Sequence, residues 1–271
     1  MYYDTHTHPY LAKEKSQDTI LENFFAHGGI YLNTISTNLR DSETNIELSK
    51  KYPWVYSAIG IHPTDVPEYK DNQEETLKKL EELYENNPEK IVAIGECGLD
   101  YHWIPSLSEK YSISEEEIKN IQKVFFIGQI ELAKKLWLPL VIHNRDAWED
   151  VLSLLKEKSF KNFVFHCFTE NLNFARRVLE FAPQCKLGFG GVTTFKSATI
   201  VQEVVTHIPL KNIIIETDAP YLTPLPYRGK EENEALYVKY VLDKIADLRG
   251  ESFEEIQRTV FQNSVDFFSI K

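Results

Sequence analysis

Short apolar runs rich in Ile, Val and aromatic residues recur along the chain at 30–35, 54–61, 90–94, 138–142, 162–165, 184–189 and 212–215. With Tyr2, Tyr3 and Asp4 at the start they make eight. Continuous apolar runs of this length predict strands buried on both faces, as in a parallel sheet covered by helices. Helical signals fill the spaces between them. The stretch 18–27 closes on Gly28-Gly29, 114–136 opens on the capping box Ser114 and Glu117, and 232–248 stops near Gly250 before a second capping box at Ser252 and Glu255. Charge runs at 73–85 and 115–119 read as solvated helix faces. Eight strand–helix units predict an α/β fold, a (β/α)8 TIM barrel. A doubly wound open sheet is disfavoured because no Gly-x-Gly-x-x-Gly follows the first strand. No Pro/Gly/Ser-rich linker interrupts the chain, so 1–271 is expected to be a single domain.

Composition narrows the class. With 42% hydrophobic and 26% charged residues the chain is an ordinary globular one, and no apolar run approaches the ~20 residues that cross a bilayer. The first residues lack the basic stretch and apolar segment of a secretory signal, which makes the cytoplasm the expected location with no membrane partner. The three cysteines, Cys97, Cys167 and Cys185, have no Cys-x-x-Cys spacing. A disulfide framework or structural zinc cluster is therefore not expected, and each is read as a small buried hydrophobe. A net charge of −11 argues against a broad nucleic-acid footprint. Any polyanion would need a local positive site.

In a parallel barrel the chemistry sits at the C-terminal ends of the strands. The first strand delivers His6 and His8, whose spacing of two places both imidazoles on one face. Later runs lead into Gly60-Ile61-His62-Pro63, Gly95-Glu96-Cys97-Gly98-Leu99-Asp100-Tyr101, Ile142-His143-Asn144-Arg145, Phe165-His166-Cys167 and Glu216-Thr217-Asp218. One such histidine or acid is an ordinary polar cap. Metal-competent groups at matched positions on at least five of the eight strands need a common cause. Histidine and carboxylate without thiolate suit zinc, magnesium, manganese, iron or cobalt. Four histidines and two acids exceed one tetrahedral shell, so two divalent ions are expected. The assignment places His6, His8 and Asp218 on one ion, His143 and His166 on a second, and Glu96 between them, with Asp218 also able to take a proton from the attacking water. Two ions ~3.5–4 Å apart clamp the attacking and leaving oxygens of a hydrolysis.

These motifs, together with Leu138-Pro139-Leu140-Val141-Ile142-His143-Asn144-Arg145-Asp146-Ala147, Glu216-Thr217-Asp218-Ala219-Pro220-Tyr221-Leu222, Arg228-Gly229-Lys230 and Asn263-Ser264, resemble those of the TatD family of metal-dependent deoxyribonucleases, in order and over nearly the whole chain. The resemblance implies a single-domain barrel of the amidohydrolase type that hydrolyses DNA phosphodiesters, often as a 3′-to-5′ exonuclease on ends or single strands. It maps the metal ligands onto His6, His8, Glu96, His143, His166 and Asp218, with Glu96 and Asp218 catalytic. His62, Arg145 and Arg228 would meet the DNA or orient it. Asp4 and Asp100 would hold ligand imidazoles or backbone in place. No obligate protein partner is implied.

Two stretches depart from or extend the pattern. Where the family runs quickly to Asn-Glu-Pro after Arg228-Gly229-Lys230, this chain has Glu231-Glu232-Asn233-Glu234-Ala235, and acid beside a substrate would weaken phosphate contact. The loop 102–114, with Trp103, Pro105 and Tyr111, either covers the site or stacks on an unpaired base. The same centre also suits a D-aminoacyl-tRNA ester or a small amide or phosphoester as an alternative substrate. A non-catalytic scaffold would lack ligands, and all six are present.

Overall fold

The structure, a computed structural model, describes residues 1–270; Lys271, the last residue of the expected domain, lies outside them. Among the described residues eight strands form one sheet in sequence order: β1 (Tyr2–Thr7), β2 (Gly29–Ile35), β3 (Val55–Ile59), β4 (Ile91–Asp100), β5 (Leu140–Arg145), β6 (Phe163–Phe165), β7 (Lys186–Phe189) and β8 (Ile213–Ile215). Neighbours pair in parallel, as in β4 with β5 and β7 with β8, and helices separate successive strands. Parallel neighbours need such crossovers. The fold is a (β/α)8 TIM barrel. No helix among the described residues is long and apolar enough to cross a membrane.

The chain forms two compact units, one of 1–34, 52–56 and everything from His166 onward, the other of 35–51 and 57–165. In the first, β8 returns to β1: Thr7 bridges Ala219, Asp218 N–H donates to His6 O (2.8 Å) and His8 N–H to Ala219 O (2.7 Å). Apolar β7 and β8 are buried throughout, and Tyr3, fully buried, donates from its hydroxyl to Asn33 Oδ1 (2.8 Å).

In the second unit β4 is buried at every position, polar ones included. The helix Glu115–Leu136 starts at the expected cap, Ser114 Oγ accepting from Glu117 N–H (3.2 Å). It also supplies two buried glutamines that stand in for missing strand neighbours. Gln122 accepts from Asp100 N–H and donates to Asp100 O, both at 3.0 Å, and Gln129 does the same for Ile61 at 2.8 and 3.0 Å. Each pair satisfies backbone groups at a strand end, where a lost partner would cost ~1–3 kcal/mol.

Several boundaries differ from the apolar pattern. Strands β4 and β5 run past their apolar runs, to Asp100 and Arg145, because the ladder continues through Gly98↔His143, Leu99↔Asn144 and Asp100↔Arg145. Gly98 makes this possible, since at φ +139° a Cβ would run into His143 O. The expected helix 232–248 begins only at Val238, because the acids before it are committed elsewhere. The loop 102–114 contains a helix, Ile104–Tyr111, whose Ile104 and Leu107 pack with Ile113 and Ile118. Cys97 and Cys185 are buried as expected, whereas Cys167 is partly exposed in the turn after β6.

Candidate active site

In the first unit the end of β1 sets His6 and His8 on one face, their Nε2 atoms 3.2 Å apart. Asp218 Oδ1 lies 3.6 Å from His6 Nε2 and 3.5 Å from His8 Nε2. The His166 ring stacks on His6 with centroids 4.0 Å apart. Donor atoms of His6, His166 and Asp218 all fall within 4.8 Å of one another, a separation that one divalent ion can span. Burial opposes charge on Asp218, but its hydrogen bond with His8 and the neighbouring histidines outweigh this and hold its carboxyl below the usual carboxylate range.

Three consecutive residues after β8 organise this cluster. Thr217 ties it to β1: the buried Asp4 carboxylate accepts from Thr217 N–H (2.9 Å), Thr217 Oγ1 (2.6 Å) and His6 N–H (3.3 Å). Burial pushes the Asp4 carboxyl well up, and those hydrogen bonds oppose the push. Glu216, also buried, accepts from Cys167 N–H and brings Oε1 to 3.6 Å from His166 Nδ1. Cys167 turns to φ +44° to present that N–H, and residue 188 is glycine where a Cβ would occupy the space of the Glu216 carboxylate. Asp218 itself faces the histidines.

In the second unit the strand ends carry another cluster. His143 Nδ1 lies 2.9 Å from Glu96 Oε1, and its Nε2 lies 3.0 Å from Asp100 Oδ2. His62 Nε2 is 3.6 Å from Glu96 Oε1, and donor atoms of His62, Glu96 and His143 also fall within 4.8 Å of one another. The His62 tautomer follows from its other nitrogen, which accepts Thr64 N–H (3.2 Å) and faces Thr64 Oγ1 (2.7 Å). In the neutral ring with Nδ1 accepting, the proton is on Nε2, the nitrogen that faces Glu96. Asp100 is held below the usual carboxylate range, since the contact with His143 and the Trp103 N–H outweigh its burial.

Within each of the two units several of the expected site residues come together. His6, His8, His166, Asp218 and the supporting Asp4 come together in one, and Glu96, His143, Asp100 and His62 in the other. Within the first unit His166 lies with His6. Arg145 sits at the exposed end of β5 with its guanidinium 5.7 Å from the Trp103 ring centroid. Arg228 stacks on Phe195 at 3.7 Å, and no contact joins it to either cluster among the described residues. Of the acids in 231–234, Glu234 is buried, Glu232 half-buried and Glu231 exposed. Glu232 accepts from Lys13 and Glu14 N–H, Glu234 pairs with Lys15 (2.9 Å) and Asn23 (3.2 Å), and Glu231 accepts from Tyr237. Glu232 and Glu234 thereby anchor the segment after His8. Glu216 was not singled out by the sequence; its signal was a second acid two residues before Asp218 at the end of an apolar strand.

Fold and site together define a metal-dependent hydrolase. The family of TatD related DNases matches residues 3–269, and the chain belongs to it. An uncharacterized metal-dependent hydrolase of Bacillus subtilis, YabD, is 39% identical over 273 residues covering all of both chains, and one of Mycoplasma genitalium is 34% identical over 98% of each. Among solved structures, the TatD homolog YJJV of Escherichia coli K12 superposes with a TM-score of 0.86 at 26% identity, covering 100% of this chain and 98% of that one. A TatD family hydrolase of Entamoeba histolytica gives 0.83 at 24% identity, with 98% and 97% covered, and supports the fold.

Proposed function

We propose that the protein is a deoxyribonuclease that hydrolyses phosphodiester bonds at DNA ends or in single strands, in the 3′-to-5′ direction, with one divalent ion at each cluster. The observation that carries this reading is the pair of His/carboxylate clusters at the strand ends, whose donors fit zinc, magnesium, manganese, iron or cobalt. Ions held there would polarise the phosphate and draw down the pKa of water. His6, His8, His166 and Asp218 hold one ion, and Glu96 and His143 the other. Asp218, ionised at neutral pH, accepts the proton of the attacking water. His62 Nε2–H and the Arg145 guanidinium donate to phosphate oxygens, offsetting locally a net charge of −11.

End-labelled single-stranded DNA incubated with the protein and magnesium or manganese should give a ladder shortening from the 3′ end, slowed at least ~100-fold by Glu96→Ala. D-tyrosyl-tRNA is the parallel substrate. Release of tyrosine without any DNA ladder would replace the nuclease reading with an esterase.

A further inference from the structure

Two side chains stand beside the second cluster, Trp103 in the loop after β4 and Arg145 at the end of β5. Trp103 is 45% exposed, although burying so large an apolar surface would be favourable. Its backbone N–H donates to Asp100 Oδ1 (3.2 Å), and the other oxygen of that carboxylate lies 3.0 Å from His143 Nε2. One carboxylate therefore separates the attachment of the indole from a candidate ligand. Arg145 stands opposite Asp100 at the last rung of the β4–β5 ladder, its carbonyl accepting from Tyr101 N–H (2.9 Å).

The residues flanking Trp103 are held by packing and hydrogen bonds. Ile104 and Leu107 bury the helix that follows Trp103, the Tyr101 hydroxyl donates to Asp150 (2.6 Å), and the His102 ring stands edge-on to the indole at 5.0 Å. Yet among the described residues neither the indole N–H nor the guanidinium has a hydrogen-bond or ion-pair partner, the only contact between them being face to cation at 5.7 Å. The neighbouring Asp146 carboxylate turns to His102 instead (3.4 Å). In a chain with 41 acids to 30 Lys and Arg, an exposed arginine without a carboxylate is open to an anion from outside.

We propose that Trp103 and Arg145 form a nucleotide subsite in which the indole stacks on a nucleobase and the guanidinium binds the phosphate attached to that nucleotide. A planar guanidinium matches phosphate oxygens in pairs. Stacking on an aromatic face accepts any base, which suits a substrate of mixed sequence. The subsite rests on the reading that the centre takes a phosphate-linked substrate, and binding without cleavage tests it separately.

Calorimetric titration of the protein in magnesium with dAMP, AMP and 2-deoxyribose 5-phosphate provides that test. Both nucleotides should bind at least about ten-fold more tightly than the sugar phosphate, with AMP against dAMP showing whether the sugar matters. Trp103→Ala should weaken the nucleotides by about 5- to 100-fold and the sugar phosphate by less than about two-fold, while Trp103→Phe keeps most of the affinity. Arg145→Gln should weaken all three alike. Equal binding of nucleotides and sugar phosphate, a base preference that survives Trp103→Ala, or a Trp103→Ala loss shared by the sugar phosphate overturns the subsite. A base preference lost in Trp103→Ala, found in a protein that leaves DNA uncut, supports the subsite and counts against the nuclease.

Discussion

The two clusters use the same residue types but are held in different ways. Around His6, His8 and His166 the protein is closed: His6 is 1% exposed, and the bracing groups are buried carboxylates, Asp4 on β1 itself bonded to Thr217 and Glu216 after β8 bonded to Cys167. Around His143 it is more open, with that side chain 17% exposed. There the histidine is clamped directly between Glu96 and Asp100, and the rim carries Trp103 and Arg145. A buried polar network must be complete to be stable, and completeness fixes its geometry. A cluster at an open rim can leave donors for a ligand. On the proposed function, the first would grip an ion, and the second would grip one and meet the substrate as well.

The largest effect should come from emptying the closed cluster. His6→Ala with His8→Ala should remove about one ion per chain by metal analysis and slow hydrolysis by at least ~1000-fold. The metal-free variant should remain folded, with a cooperative melting transition, because neither imidazole belongs to the apolar core. A double variant that keeps its full metal content would refute this division into two sites. Glu216→Gln is subtler, since it keeps size and shape and removes the charge facing His166. Loss of an orienting carboxylate typically lowers metal affinity ~10–100-fold. That drop, measured by titrating metal into the stripped protein, should leave melting of the metal-free form nearly unchanged. Unchanged affinity would mean that Glu216 merely fills the space beside Gly188.

The apolar pattern was enough to reveal the barrel because parallel strands buried on both faces leave uninterrupted runs of Ile and Val, as at 212–215. Ligand candidates stood out for a related reason: His143 and Glu96 interrupt such runs at positions where charge is costly without a partner. What remained hidden depends on contacts remote in sequence. No local signal tells that Gln122 extends the end of β4, that Glu232 is spent on Lys13 and Glu14, or that Arg228 lies on Phe195. Strand ends were placed too early because periodicity registers burial in an apolar core, whereas the ladder from Gly98 to Asp100 continues under polar side chains.

The smallest effect tests the flank of the open cluster. Asp150 accepts from Tyr101 (2.6 Å) and pairs with Lys123 (2.7 Å), and these two, Lys123 foremost, hold its carboxyl below the usual carboxylate range. A carboxyl with a lowered folded-state pKa adds stability that is complete above its unfolded value of about 3.9 and lost as the pH falls through the lower folded value. Because the pair is partly exposed, the gain is at most ~1 kcal/mol. Asp150→Asn should therefore lower Tm by ~1–4 °C at pH 7, and the difference from the parent should shrink as acid takes the pH below about 4. Added salt should shrink it too, since exposed pairs are screened. The Glu216→Gln loss of metal affinity, arising from a buried contact, should persist when both are measured at high salt. A salt-insensitive Asp150 effect beside a salt-sensitive Glu216 effect would reverse the assignment of closed and open clusters.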